Sequence, residues 1–128
     1  MRVVSDMRVA EMVAGACKVR FAPPLSCIGI EKDGEVIGGV VFNCFEGTDI
    51  HATVAGKGWS PEFLRIVGKY IFGTLGCERV TAKTEQASVV RIAQKLGGQV
   101  EGELRNHFGP GRNATIIGIL RDEYRFKE

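Results

Sequence analysis

Between a run that reads as a strand and a run that reads as a helix lies the stretch VAGKGWSPEF, Val54 to Phe63. Its residue types suit an anion. Gly56 and Gly58 let the backbone turn and let a ligand come close, and Lys57 adds charge. Ser60 is a good N-cap and Pro61 fits the first helical position. A helix start presents unpaired N–H groups and about half a positive charge, so the physics permits a pyrophosphate at Gly58 to Phe63. A plain surface turn is the other reading. The stretch is not a P-loop, since Lys57 is followed by Gly58, and it does not complete the GxGxxG dinucleotide fingerprint. Trp59, the only tryptophan, either stacks on a ligand or covers the edge of the core.

Other chemistry is sparse. The four cysteines, Cys17, Cys27, Cys44 and Cys77, show no CxxC spacing, and there are two histidines. That argues against a zinc site and for reduced, buried thiols; Cys44, alone on a strand, reads as packing. The net charge is +2, but residues 57–95 carry seven lysines and arginines against three glutamates. This uneven charge suits an anionic ligand or a solvated face. No basic cluster is dense enough, or interleaved enough with aromatics, to argue for nucleic acid.

These residues need a frame. At 128 residues and 45% hydrophobic, the chain reads as one domain, residues 1–128, with a single core. No apolar run reaches the ~18–20 residues of a membrane helix, and the charged N-terminus does not read as a signal peptide. The expected location is the cytoplasm, with no membrane partner.

The spacing of Val9, Met12, Val13 and Ala16 predicts a helix over about residues 5–19, capped by Ser5 or Asp6 and ended before Pro23-Pro24. Asp33-Gly34 marks a hairpin turn between two apolar strands. Gly38 and Gly39 weaken the second strand or let something approach its backbone. Residues 49–55 form a third strand, with Ile50, Ala52 and Val54 on one face and His51 and Thr53 on the other. A helix starts at Ser60-Pro61, with Phe63, Ile66, Val67, Tyr70 and Ile71 as its apolar stripe and Gly76 as its C-cap. A strand at Glu78–Thr84 follows. Then comes a helix carrying Val89, Ile92, Ala93 and Leu96 on one face, and two antiparallel strands joined at GPGRN. The first three strands form a meander. The two strand–helix–strand units in the middle demand parallel neighbours. The fold class is α/β with a mixed sheet.

The later segment, ERVTAKTEQASVVRIAQKLGGQVEGELRNHF and then ATIIGILRDEY, resembles the GNAT family of acyl-CoA-dependent N-acetyltransferases. The likeness is greatest to the branch that acetylates ribosomal-protein N-termini and to its small phage-associated members. Lys95-Leu96-Gly97, Glu101-Gly102-Glu103-Leu104-Arg105 and Asp122-Glu123-Tyr124 match, and the element order matches from about Ser26 to Phe126. The resemblance implies a single GNAT-like domain with a central, mostly antiparallel sheet, a parallel middle pair and flanking helices. It also implies an N-terminal helical region, residues 5–25, that is short for the family and lacks the first strand or one of two early helices.

In that family the two middle strands splay and acetyl-CoA lies in the gap. By resemblance, Thr53, Val54 and Ala55 hold the pantetheine, and Lys57, Gly58, Trp59 and Ser60 hold the pyrophosphate. Gln86 stands where the family has Asn. The chain departs from the pattern elsewhere: Ser60-Pro61 replaces the loop's second glycine, Gly98 replaces a Phe, and Ala93 stands where many members carry an acid Tyr. Acetyl transfer needs a neutral amine, a polarised thioester carbonyl and a proton for the leaving thiolate. His51 and Glu46 are the candidate bases, an N–H near Val54 the candidate carbonyl donor, and Tyr124 a candidate acid or a structural aromatic. The implied function is an acetyl-CoA-dependent N-acetyltransferase acting on a primary amine. The alternatives are a catalytically inactive module of the same fold, with a binding or structural role that extends to phage particles, and an unrelated α/β binding domain. The hairpin strands and short N-terminal region permit a homodimer.

Overall fold

The computed structural model describes residues 1–126. A three-residue strand, β1 (Arg2–Val4), precedes α1 (Met7–Cys17). Asp6 caps α1 by accepting from the Arg8 N–H at 3.0 Å. The expected hairpin is β2 (Leu25–Lys32) and β3 (Glu35–Asn43), turning at Asp33-Gly34, both with positive φ. Next come β4 (Asp49–Gly56) and α2 (Pro61–Gly68), which runs on as a wider π-helical segment through Thr74. Then follow β5 (Arg79–Thr84), α3 (Ala87–Lys95), β6 (Gln99–Gly109) and β7 (Arg112–Leu120). Among the described residues no helix is long and apolar enough to cross a membrane.

The strands make one sheet in the order β1-β2-β3-β4-β5-β7-β6, antiparallel everywhere except β4–β5. One strand–helix–strand unit, β4–α2–β5, thus gives the expected parallel neighbours. The other does not: β7 returns from β6 through the tight turn at Pro110-Gly111 and takes the free edge of β5, so β5 and β6 never touch as strands. Of the two options left open for the N-terminal region, the first strand is present, and a single helix precedes β2.

Helices cover both faces. α1 lays Val9, Ala10 and Val13 against Cys27, Val41 and Ala55. α2, the π segment and α3 cover the other face, where Phe42, Ile50, Phe63, Val67, Ile71, Val80 and Ile119 form the larger core. The split follows the alternation of β4: Ile50, Ala52 and Val54 point to the larger core, and Ala55 points to α1.

The glycines of the hairpin set how closely these layers approach. Gly29 and Gly39 are cross-strand partners. A Cβ on them would stand 2.6 and 2.5 Å from the methyls of Val9, so the pair forms the socket that buries Val9 completely. Gly38 does the same for the loop after β4. Its missing side chain is where the Lys57 carbonyl passes, and the Lys57 N–H donates to the Ile37 carbonyl at 3.0 Å. The strand glycines are therefore sites of close backbone approach.

Gly38→Ala forces backbone against backbone and should destabilise the fold by about 2–3 kcal/mol. Gly15→Ala, in α1 with nothing within 4 Å of the added Cβ, should be stabilising by about 0.5–1 kcal/mol. Urea denaturation of the two variants checks both signs.

Candidate active site

β4 and β5 share four residue pairs, Asp49↔Arg79, Ile50↔Val80, His51↔Thr81 and Ala52↔Ala82. Beyond them they part. β4 continues to Gly56 beside β3 alone, and β5 continues to Thr84 beside β7 alone. The wedge between them is walled by Thr53 and Val54 on one side and Lys83 and Thr84 on the other. The Cys17 thiol lies 3.5 Å from the Val54 carbonyl oxygen, on the edge that β5 has left. A strand residue sends its N–H and C=O to the same side, so the Val54 N–H faces the wedge as well.

On the α2–α3 side the wedge backs onto an apolar slot of about 80 Å³ that includes Trp59, Phe63, Val89, Ile92 and Ala93 in its lining. On the α1 side it opens into two adjoining cavities of about 260 and 410 Å³, which share Lys18, Thr53, Lys83 and Phe108.

The loop after β4 turns on Gly56 (φ 87°) and Gly58 (φ 102°), a region side chains disfavour. The Lys57 side chain is exposed. Ser60 caps α2 as expected: its Oγ accepts from the Phe63 N–H at 3.2 Å, and its carbonyl from the Leu64 N–H. These bonds consume part of the expected anion cradle. The hydroxyl is committed to the helix, Pro61 has no N–H, and the Ser60 N–H donates to Gly58 at 2.7 Å. Trp59 tilts onto Phe63 with ring centroids 5.5 Å apart and joins the edge of the core. Gln86 takes the N-cap position of α3, and its side-chain amide reaches the Cys17 sulfur at 3.9 Å. Cys17, Gln86 and the Glu85–Arg112 ion pair (2.5 Å), whose arginine also holds the Cys17 carbonyl at 3.2 Å, therefore tie α1 across the mouth of the wedge.

His51 and Glu46 are brought together. The side chains of Glu46, Asp49 and His51 place ligand-type atoms within 4.8 Å of one another, and His51 Nε2 is 3.7 Å from an Asp49 oxygen. Asp49 is itself engaged, accepting the Thr81 hydroxyl at 2.9 and 3.0 Å on its two oxygens. Burial, followed by the nearby Lys83 ammonium, pushes the His51 imidazole below its ordinary pKa, against the opposing pull of Asp49 and Glu46. Its Nδ1 is buried and has no hydrogen-bond partner among the described residues. An imidazole held below its ordinary pKa near the root of the wedge has the character of a proton acceptor.

Two residues that the sequence did not mark as site candidates stand beside it. Lys83 faces the wedge from β5. His107 lines the larger cavity with Phe108, its imidazole lowered by burial and by Lys83 and His51. The structural cause is at Asn106, whose positive φ (58°) breaks the β6 ladder and sends residues 107–108 toward the wedge. The available signal was simple: His107 is the chain's second and last histidine.

Other candidates fall away from the wedge. Tyr124 is buried, donates to the Leu64 carbonyl, and is pushed well above the ordinary phenol range by burial; it is structural. Glu101, in the matched Glu-Gly segment, pairs with Arg79 at 2.6 Å. Cys44 lies just past β3, exposed and with positive φ (54°), so it is not the packed strand residue expected.

Neither a protein-family model nor a curated protein matches the sequence. Solved structures do match. A spermidine N-acetyltransferase from Vibrio cholerae, solved in complex with CoA and spermine, superposes with a TM-score of 0.70 over 95% of this chain and 97% of that one, at 12% identity. The chain has the GNAT fold. An N152L mutant of the spermidine N-acetyltransferase SpeG from the same organism gives 0.64 at 18% identity, over 79% of this chain and 67% of that one. A ribosomal-protein-S5-alanine acetyltransferase from Vibrio fischeri gives 0.62 at 16%, over 79% and 64%. In this GNAT-fold chain the parallel middle pair and its splay lie where the resemblance placed them.

Both imidazoles should titrate below about 6.5, the unperturbed histidine value. The native state then binds fewer protons than the unfolded one, so their stability contribution is complete above that pH and is lost as pH falls toward the folded values. Lys83→Gln removes a repelling charge and should raise both. NMR titration of the two histidines in each protein measures this.

Proposed function

We propose that the chain is an acetyl-CoA-dependent N-acetyltransferase acting on a primary amine. The observation that carries this reading is the wedge. β4 leaves β5 after Ala52 and exposes the peptide edge at Val54, three residues along the strand from His51, whose imidazole is held below its ordinary pKa. The residues present fit the cofactor: an unpaired strand edge for a pantetheine arm, an apolar slot behind it, and a glycine-turned basic loop at its end. Acetyl-CoA supplies the activated acyl group as a thioester. Thr53, Val54 and Ala55 would hold its arm through backbone groups; Lys57, Gly58, Trp59 and Ser60 would flank its phosphates; Gln86 would stand at the opposite wall. The Val54 N–H is the donor placed to polarise a carbonyl. His51 takes the proton that an ammonium must lose before it can attack, and the charge of Asp49 and Glu46 stabilises the imidazolium that forms. With Ala93 in place of a tyrosine and Tyr124 buried, protonation of a leaving thiolate falls to solvent or to the returning imidazolium.

One observation favours a second reading, a module of the same fold without catalysis. Cys17, Gln86 and Arg112 bridge the mouth of the wedge, and Ser60 and Pro61 withdraw donors from the phosphate loop.

Calorimetry with acetyl-CoA and an assay of thiol release separate the two. Saturable binding near one per chain with amine-dependent thiol release supports the enzyme; binding without release over a broad amine panel supports the module; neither sinks the enzyme and leaves only a module with a structural role. Under the first reading His51→Ala lowers kcat by about 10²-fold or more and spares CoA affinity. Lys57→Ala weakens CoA binding by a few-fold, the scale of one exposed charge, and leaves kcat intact.

A further inference from the structure

The larger cavity on the α1 side has a one-sided chemistry. Lys18 and Arg20 reach it from the segment after α1, and Lys83 from β5; Asn43, Thr53 and His107 complete its polar lining. Phe21 and Phe108 supply apolar walls. Among the described residues none of its lining is a carboxylate, and none of its three cations is in a salt bridge. The carboxylates nearby are otherwise placed. Asp49 is bound to Thr81 and lies 3.7 Å from Arg79. Glu85 is paired with Arg112 in the adjoining cavity, where it also feels the Lys18 charge. Glu46 is exposed at the His51 end. Cations converging on a concave surface with apolar walls concentrate the field instead of dissipating it into water.

The cavity also has a direction. Thr53 is two residues along β4 from His51 on the same face, a spacing of about 7 Å, and Lys83 stands in the same relation to Thr81, the cross-strand partner of His51. His51 does not itself line the cavity, but its cross-strand partner Asn43 and its same-face neighbour Thr53 do, so the imidazole borders one end of a cavity whose lining holds the three cations.

We propose that this cavity is the acceptor subsite and that it selects a primary amine carrying an anionic group, carboxylate or phosphate, a short chain away from its nitrogen. The assignment rests on the acetyltransferase reading for the word acceptor, and on the cavity alone for the ligand chemistry. The amine lies at His51 and the anion meets Lys83, Arg20 and Lys18. A polyamine is the wrong substrate here, because its second ammonium would fall among like charges.

The test uses the full chain and four probes: 4-aminobutyrate, O-phosphoethanolamine, neutral 4-amino-1-butanol and spermidine. Of the chain's two histidines, His107 lines the cavity and His51 borders it beside Asn43 and Thr53, so their imidazole NMR signals report its occupancy whether or not turnover occurs. Saturable shifts of both signals with 4-aminobutyrate, with O-phosphoethanolamine or with both, and at least tenfold weaker effects of 4-amino-1-butanol and spermidine, are expected. Which of the two acts tells carboxylate from phosphate. Lys83→Gln, replacing a side chain with no ion pair to lose, should weaken the response at least tenfold, and Arg20→Gln should weaken it further. Equal shifts with spermidine or with the neutral alcohol, or none with either anion, overturn the proposal. Thiol release from acetyl-CoA is followed with the same probes. Release with spermidine or the alcohol but not with the anions also overturns it. Anion-selective shifts without any release leave the anion subsite standing and remove the acetyltransferase reading instead.

Discussion

Every peptide group on a buried strand edge needs a hydrogen-bond partner, and beyond Ala52 the edge of β4 has no strand to provide one. The rest of the site is arranged around that unmet need. The Cys17 thiol reaches the Val54 carbonyl from α1, and Gln86 reaches Cys17 from the far wall. Sulfur is a weak hydrogen-bonding atom, so the edge is tended without being sealed. An extended ligand with amide groups of its own would make stronger bonds there than the thiol does.

The separation of the two half-sheets is possible because each has its own support. β4 is held by β3, and the loop after it folds onto Gly38, while β5 is held by β7. α1 is drawn down on the first half by the Val9 socket at Gly29 and Gly39, and α3 packs on the second. The larger core beneath α2 spans both halves, joining Phe42 and Ile50 to Val80 and Ile119. The electrostatics follow the same division: β4 brings Asp49 and His51, β5 brings Arg79 and Lys83, and the two sets face each other around the shared pairs, where burial and the charge on the opposite strand lower the proton affinity of His51.

Much of this frame was legible in the sequence, because local rules wrote it. Asp33-Gly34 fixed the hairpin, Ser60-Pro61 the start of α2, and the alternation along residues 50–54 the two faces of β4. What was not legible depended on partners distant in the chain. β1 has three residues and exists through pairing with β2 and the contact of Arg2 with Glu31 at 2.5 Å; so short a run carries no period. The placing of β7 between β5 and β6 is a choice of edge, which periodicity does not encode. His51 and Glu46 were read as neighbours of the reaction centre, whereas Lys83 looked like one more surface cation and His107 like a strand residue. Asn106, an ordinary asparagine in the sequence, is what turns His107 into the same cavity.

The segment after β7 has a mechanical meaning. Tyr124 hangs its hydroxyl on the Leu64 carbonyl of α2, and one residue later the Arg125 N–H is fastened to the Leu96 carbonyl at the end of α3. Two successive residues thus link the helices that flank the wedge, one from each half of the sheet. The two half-sheets are thus joined twice, by the shared β4–β5 pairs within the sheet and by this clasp between the helices above it. The clasp works as a tie rod does between two walls, setting the spacing of the helices that flank the wedge.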